Sequence, residues 1–458
     1  MVVIYSFLIY TTAFSYDGLG RLAGVSSGPA AADSLLDVRY GYTLQGWTAS
    51  IRAAVGGRTV FSEELGYDGT PASPTGGPSY TGLITRKVET WSVPTGPSQG
   101  QSVSRTEDYA YDYAARLASW DDSAHGEDIL YDARGNITSR APRYGSGGTV
   151  TMTYAGDRLA TLKEGSAAAV TFAHDAFARM TTDALAGLSI AYNAFDLPER
   201  ISAGGTLKAR YTYMADGTKV SATDASGAGL VYRGPFTYRC SSDGTLSFES
   251  APFARGRLTG AGVRYHISDH LGSVRAVIDG SASTTAYPQT GFYSMDDYRP
   301  FGERITSAAA SSLTLAPTGP AVSLRDSFTG KEDQGPDFAI PYTDFGARHY
   351  GTALQRWLVP DPLGEKYYDI SPYVYCSNNP VNRIDASGRD DYRYDDETGT
   401  FYLMNSTNDK TDRVLAYHKN KDAGGRPLWP PSLYHISAGN PSEWINQRDD
   451  HPVRIVPR

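Results

Sequence analysis

The chain has 458 residues, enough for one large domain and a smaller one. Its mild net charge of −8 argues against a surface built to bind nucleic acid through counterion release. With 48 glycines, 26 prolines, 33 tyrosines and only 40% hydrophobic residues, the composition favours short strands and many turns over helices.

Met1–Phe14 (MVVIYSFLIYTTAF) is apolar, but no Lys or Arg precedes Arg21 and no small-residue cleavage site follows. It is too short to span a bilayer as a helix. Its β-branched and aromatic content reads as a strand near the start of a truncated or split gene, rather than as a signal peptide. Cys240 and Cys376 stand far apart in sequence and read as two buried thiols, not a bridge.

A degenerate repeat runs from about Phe14 to Ile278. Its units include FSYDGLGRLAGV from Phe14, YAYDYAARLASW from Tyr109, ILYDARGNITSR from Ile129, MTYAGDRLATLK from Met152, FAHDAFARMTTD from Phe172, IAYNAFDLPERI from Ile190 and YTYMADGTKVSA from Tyr211. The pattern is aromatic-x-Tyr-Asp-x-x-Gly-Arg-Leu, recurring roughly every 20 residues, the scale of a strand–turn–strand unit. Asp17-Gly18 opens a turn because Asp bonds its own backbone and Gly tolerates positive φ. The aromatic and Leu positions then share one face by two-residue alternation. Units without the glycine, at Tyr113-Ala114-Ala115 and Phe177-Ala178-Arg179, predict looser turns or another type. A pair between the repeat Asp and Arg is structural and, if exposed, contributes only about 0–1 kcal/mol.

Tyr265–Ile278 (YHISDHLGSVRAVI) and Tyr298–Arg304 (YRPFGER) continue the strand–turn pattern. On a strand, His266 and His270 share one face; without a third ligand they read as packing or hydrogen-bonded residues, not a metal site. Ser307–Ser323 is small, uncharged and Pro-containing, a loop. Lys331 in Phe-Thr-Gly-Lys lacks a glycine-rich phosphate loop and reads as a surface or pairing residue. Trp357, Tyr367, Tyr368, Tyr373 and Tyr375 read as packing aromatics, and Asn378-Asn379-Pro380 as a turn.

The repeats, together with the closing block DFGARHYGTALQRWLVPDPLGEKYYDISPYVYCSNNPVNRIDASG (344–388), resemble the Rhs/YD-repeat family over most of residues 14–390. The resemblance implies an all-β fold: stacked hairpins forming a curved sheet or partial hollow β-shell, closed by an Rhs core block and followed by a small mixed tail. The divisions expected are 1–264 for the repeats, 265–389 for the core block and 390–458 for a variable tail. It also implies the C-terminal segment as cargo, an immunity protein or secretion machinery as partner, and a secreted or cell-surface location. No cofactor and no metal are implied.

In related Rhs and toxin-complex C proteins this block looks like an aspartic autoprotease. By motif position Asp361 and Asp385 correspond to its two acids and Arg348 to its helper arginine. Two close carboxylates share a proton, so one can activate water while the other donates to the carbonyl. The family's usual ending is Asp-Pro-x-Gly-Leu, cut after Leu; here Ala386 and Arg389 replace Pro and Leu. Cleavage is therefore expected near Gly388, Arg389 and Asp390, and a turn block without proteolysis stays open beside it, because Asp-Pro and Asp-x-x-Gly are ordinary turn formers. Two further readings stay open: a YD-repeat surface for contact or carbohydrate binding, and a remnant of a larger Rhs protein. In the tail, His418, His435 and His451 are too scattered for a metal motif, and no activity is assigned to it.

Overall fold

The computed structural model describes residues 11–28, 35–67, 82–92, 102–260, 262–279, 292–306, 325–366, 368–389, 391–395 and 400–403. The expected strand at Met1–Phe14 is described only from Thr11, where Thr11–Tyr16 is a strand. The Ser307–Ser323 loop, Tyr367, Asp390 and the three tail histidines lie outside the described residues.

Each repeat turn is organised by its aspartate. The Asp17 N–H donates to the Arg21 carbonyl at 2.9 Å and the Gly20 N–H to the Asp17 carbonyl at 3.0 Å. Asp17 Oδ1 accepts from the N–H groups of Leu19 and Arg21, and Oδ2 from Arg21 Nε at 2.7 Å. The same bonds recur at Asp112–Arg116 and Asp175–Arg179. Ala115 (φ 59°) and Ala178 (φ 65°) occupy the left-handed position that Gly20 (φ 84°) fills in the first unit. The looser turns expected there are not found. The aspartate bonds hold both alanines in the glycine conformation, against a cost of about 1–2 kcal/mol each.

At five steps a tyrosine ties one hairpin to the one before it. Tyr42 donates to the Leu22 carbonyl at 2.7 Å, Tyr131 to Leu117 at 2.6 Å, Tyr154 to Ile137 at 2.6 Å, Tyr192 to Met180 at 2.7 Å and Tyr213 to Pro198 at 2.9 Å. The acceptor in each case is the residue that begins the previous return strand. In three of these steps the preceding Arg lies over the tyrosine ring: Arg21 over Tyr42, Arg116 over Tyr131 and Arg179 over Tyr192, at 4.6, 4.7 and 5.1 Å from the centroid. The motif thus encodes a turn and a neighbour contact together.

Repetition of this unit gives two open antiparallel sheets in which sequence neighbours are sheet neighbours throughout. Thirteen strands run from Thr11–Tyr16 to Val170–Thr171, and fourteen from Ala173–His174 to Arg304–Thr306. Only Phe172 separates Thr171 from Ala173, so one chain segment passes from the first sheet to the second. The all-β expectation is borne out; the sheets do not close into a barrel. The second sheet runs through Gly262–Ser268 without interruption, so position 264/265 falls inside a strand.

Two hydrophobic cores join the sheets to each other and to the closing block. Leu36, Val38, Ile51 and Phe61 from early strands pack with Val263, Tyr265, Ile267 and Ile278 from late ones. Beside them lies an ionic layer: Arg275, 1% exposed, pairs with Glu89 and Asp297, while Lys87 pairs with Glu89 at 3.0 Å and Glu107 at 3.1 Å. The other core joins the inward faces of the repeats (Leu117, Ile129, Ile201, Tyr211) to Phe328 and to Tyr350, Trp357 and Tyr375 of the closing block. That block is a small sheet of Glu332–Asp333, Tyr342–Asp344, His349–Gly351 and Arg356–Trp357 followed by turns. Ile384–Asp385 then pairs with Asp391–Asp395, which pairs with Thr400–Leu403.

Candidate active site

Arg348 is placed by the hairpin between Tyr342–Asp344 and His349–Gly351 and is only 2% exposed. Its guanidinium lies over the Trp357 ring, 4.1 Å from the centroid. Nη2 meets Asp361 Oδ2 at 2.8 Å and Asp385 Oδ2 at 3.3 Å. Nε donates to the Gly388 carbonyl at 2.5 Å and Nη1 to the Pro372 carbonyl at 3.3 Å. One buried guanidinium therefore gathers both acids and the backbone at Gly388.

Each acid is fixed by its own turn. The Asp361 N–H donates to the Pro372 carbonyl at 2.9 Å, and Oδ1 accepts from the Leu363 N–H at 2.8 Å. Burial raises the Asp361 pKa above its ordinary value; the Arg348 charge opposes this, and Asp385 adds to the rise. Asp385, 1% exposed, accepts through Oδ1 from the N–H groups of Ser387 (3.0 Å), Gly388 (2.6 Å) and Arg389 (3.2 Å). Gly388 has φ +76°, and a Cβ there would lie 2.9 Å from the Arg348 amide nitrogen. Only glycine lets the backbone come this close.

The three residues singled out by motif position thus meet in space, together with Gly388. Arg389 is half-buried at their edge, bound through its N–H to Asp385. A single guanidinium nitrogen stands between the two carboxylates. Such an arrangement can hold two acids together without both repelling, keep one ready to exchange a proton, and polarise a neighbouring carbonyl.

Several surrounding residues fall differently from expectation. Trp357, Tyr373 and Tyr375 are buried as expected, but Tyr368 is 80% exposed. Asn378, in the expected turn, donates to the Gly135 carbonyl at 2.8 Å and docks the block onto a repeat turn. Lys331 does not sit on the open surface: its Nζ donates to the Ala386 carbonyl at 2.6 Å. His266 is on a strand, but His270 lies in the turn after it, so the two share no face. His270 Nδ1 meets Glu63 Oε1 and Nε2 meets the Val381 carbonyl, both at 2.9 Å. Cys376 is buried and Cys240 half-buried, and neither is in a disulfide. Among the described residues no group of three or more His, Cys, Asp or Glu is placed to hold a metal, and no helix is long and apolar enough to cross a membrane.

Glu63, Glu89 and Arg275 were not visible as a group in the sequence, since more than 180 residues separate Glu89 from Arg275 and no local pattern links them. Lys331 was visible, but its motif gave no direction for the side chain.

No family model matches the chain. A stretch of 121 residues is 31% identical to salivary gland surface protein 1 of Aedes aegypti, covering 26% of this chain and 3% of that protein. In structure the chain is similar to the Photorhabdus luminescens Tc holotoxin pore with a TccC3 variant (TM-score 0.49, 16% identity, 83% of this chain and 18% of that one). It is also similar to the TcdB2–TccC3 protein (TM-score 0.46, 15% identity, 83% and 22%). The chain spans about a fifth of the length of these structures and a far smaller part of the mosquito protein.

Proposed function

We propose that this chain is the Rhs core shell of a polymorphic-toxin-like protein, secreted or presented at the cell surface, which encloses its C-terminal segment and severs it by a single aspartic self-cleavage. The observation that carries this reading is the Arg348 guanidinium, which joins Asp361, Asp385 and the Gly388 carbonyl in one buried cluster. The reaction adds water across one peptide bond in the Gly388–Asp390 stretch. The water oxygen bonds to the carbonyl carbon, the C–N bond breaks, and the departing amine gains a proton. Asp361 and Asp385 relay that proton, and Arg348 holds the charge that develops on the carbonyl oxygen. Catalyst and target share one chain, so the effective concentration is high and one turnover completes the task. The divisions at 264/265 and 389/390 belong to this reading, the last being the release point, with a cognate immunity protein or export machinery as partner.

The test is expression of the full chain followed by a denaturing gel. Two fragments are expected from the natural sequence and one full-length band from Asp361→Asn or Asp385→Asn. A full-length band from the natural sequence, or unchanged cleavage in Asp361→Asn, overturns the proposal.

A contact or carbohydrate-binding surface is the second reading. It is favoured by Phe236 and Phe248, 46% and 38% exposed; the Phe248 ring lies 6.4 Å from that of Phe236 and 6.1 Å from that of Tyr238. Binding to a glycan array that is lost in Phe236→Ser/Phe248→Ser supports it; unchanged array binding in that variant removes it.

A further inference from the structure

Lys331 ends a tight turn whose backbone is fixed from two sides. Ser327 N–H donates to the Lys331 carbonyl at 2.9 Å, Lys331 N–H to Phe328 at 3.0 Å and Gly330 N–H to Ser327 at 3.0 Å. Thr329 N–H donates to Ser273 Oγ at 3.1 Å, which anchors the turn to the second sheet, and Phe328 is buried in the block's core. From this base the Lys331 side chain reaches the turn that carries Asp385 and Gly388. Its Nζ donates to the Ala386 carbonyl at 2.6 Å and lies 5.7 Å from the Phe345 ring centroid.

The choice of residue is informative. Lys331 keeps part of its surface exposed, yet its ammonium lies deep among protein groups and, among the described residues, makes no direct ion pair. The carboxylates whose field reaches it, Asp385, Asp344 and Asp326, are each engaged elsewhere: Asp385 with Arg348, Asp344 with Lys219 at 2.6 Å, and Asp326 with Arg257 at 3.1 Å. An ammonium held this way is costly for packing alone, and an apolar side chain would fill the space at less expense. What the ammonium does contribute is a fixed donor to one carbonyl of the Asp385–Arg389 turn. Ser387 is held beside it by the Ala347 N–H at 3.0 Å, and Gly388 by Arg348. Three successive carbonyls of the turn are therefore clamped, by Lys331, Ala347 and Arg348.

We propose that Lys331 is a positioning residue for the self-cleavage, its ammonium clamping the Ala386 carbonyl so that the following peptides stay against Arg348 and the two acids. The inference rests on the cleavage reading above. A misplacement of about 1 Å at a reacting centre costs on the order of a hundredfold in rate. Burial lowers the Lys331 pKa from its ordinary 10.5, with Asp385, Asp344 and Asp326 opposing, so the clamp loses its charge at a lower pH than a surface lysine would.

The experiment is a pulse-chase of the full chain made by cell-free translation, with cleavage rates followed on denaturing gels from neutral to alkaline pH. Lys331→Met is expected to slow cleavage by about tenfold to a hundredfold. Lys331→Arg, which keeps charge and donors, is expected to recover most of the rate. The two acids give both proteins a fall in rate as pH rises, and the natural sequence should fall more steeply on the alkaline side than Lys331→Arg. A natural-sequence rate in Lys331→Met overturns the proposal. So does equal loss in Lys331→Met and Lys331→Arg, or an alkaline limb as steep in Lys331→Arg as in the natural sequence, because either would mark Lys331 as structural only. If the natural sequence stays full length, or Asp361→Asn cleaves as fast, the cleavage reading itself falls; cleavage that depends on Asp361 but ignores Lys331 removes the clamp alone.

Discussion

Arg348 donates through Nε to the carbonyl of Gly388, 40 residues on, and the Gly388 backbone approaches so closely that a Cβ would lie 2.9 Å from the Arg348 amide nitrogen. Gly388→Ala must therefore shift this turn as well as hold an L-residue at φ +76°. The conformational term alone is about 1–2 kcal/mol. Urea unfolding followed by tryptophan fluorescence should show at least that loss, and the gel assay should show cleavage abolished. Unchanged stability would mean that the turn relaxes freely and that the Arg348 contact does not depend on glycine.

Ala115 and Ala178 offer the opposite change. Both hold φ near +60° in turns otherwise identical to the Asp17–Arg21 turn. Neither needs its methyl group for the aspartate bonds. Ala115→Gly and Ala178→Gly should each stabilise the chain by about 1 kcal/mol, the relief of left-handed strain less the extra chain entropy of glycine. A lowered urea midpoint in both would refute the strain.

Tyr131 tests the link between hairpins. Its hydroxyl spans to Leu117 at 2.6 Å and its ring carries Arg116. Tyr131→Phe keeps the ring and removes only the bond, leaving the Leu117 carbonyl without this donor. A loss of about 1–2 kcal/mol is expected from thermal or urea unfolding. No loss would assign the neighbour contact to ring packing alone.

The sequence carried the fold well because its information is local. An aspartate that closes its own turn, an arginine four residues on and a tyrosine two strands later all lie within one or two repeat lengths. The closing block was legible for a different reason: Arg348, Asp361 and Asp385 stand in turns recognisable by motif, and the structure brings them to one guanidinium. What could not be read was every contact made across the fold. Glu63 with His270 and Glu89 with Arg275 join the first sheet to the second, and each residue alone looks like an ordinary strand charge. The partner of Lys331 is hidden for the same reason, since the carbonyl it binds is 55 residues away.

Arg275 is the centre of that hidden layer. It is 1% exposed and serves Glu89 and Asp297, with Nε donating to the Asp296 carbonyl at 2.9 Å. Arg275→Met removes one partner and leaves two acids without it in the interior, so a loss of about 3–5 kcal/mol is expected. A double-mutant cycle with Glu89→Gln should give a coupling of about 0.5–3 kcal/mol. Additive losses would show that the two residues stabilise the sheets independently.

His270 makes the same junction sensitive to pH. Its Nε2 faces the Val381 carbonyl, which can only accept, so that nitrogen carries a proton; Nδ1 faces the Glu63 carboxylate and is satisfied best by carrying one too. The imidazolium then joins strand Arg58–Gly66 of the first sheet, a turn of the second and the closing block. Burial alone would lower the His270 pKa, but the charge and hydrogen bond of Glu63, helped by Asp269 and opposed by Lys87, leave it raised above 6.5. A raised folded pKa gives stability that is fully present below the unfolded value, near 6.5, and is lost as pH rises through the folded value. The melting temperature of the natural sequence should therefore fall as pH is raised above about 6.5, and this slope should vanish in His270→Gln. At acidic pH the same substitution leaves Glu63 buried without its cation, and about 3–5 kcal/mol should be lost. A pH slope that survives in His270→Gln would place the titrating group elsewhere and leave the junction held by packing alone.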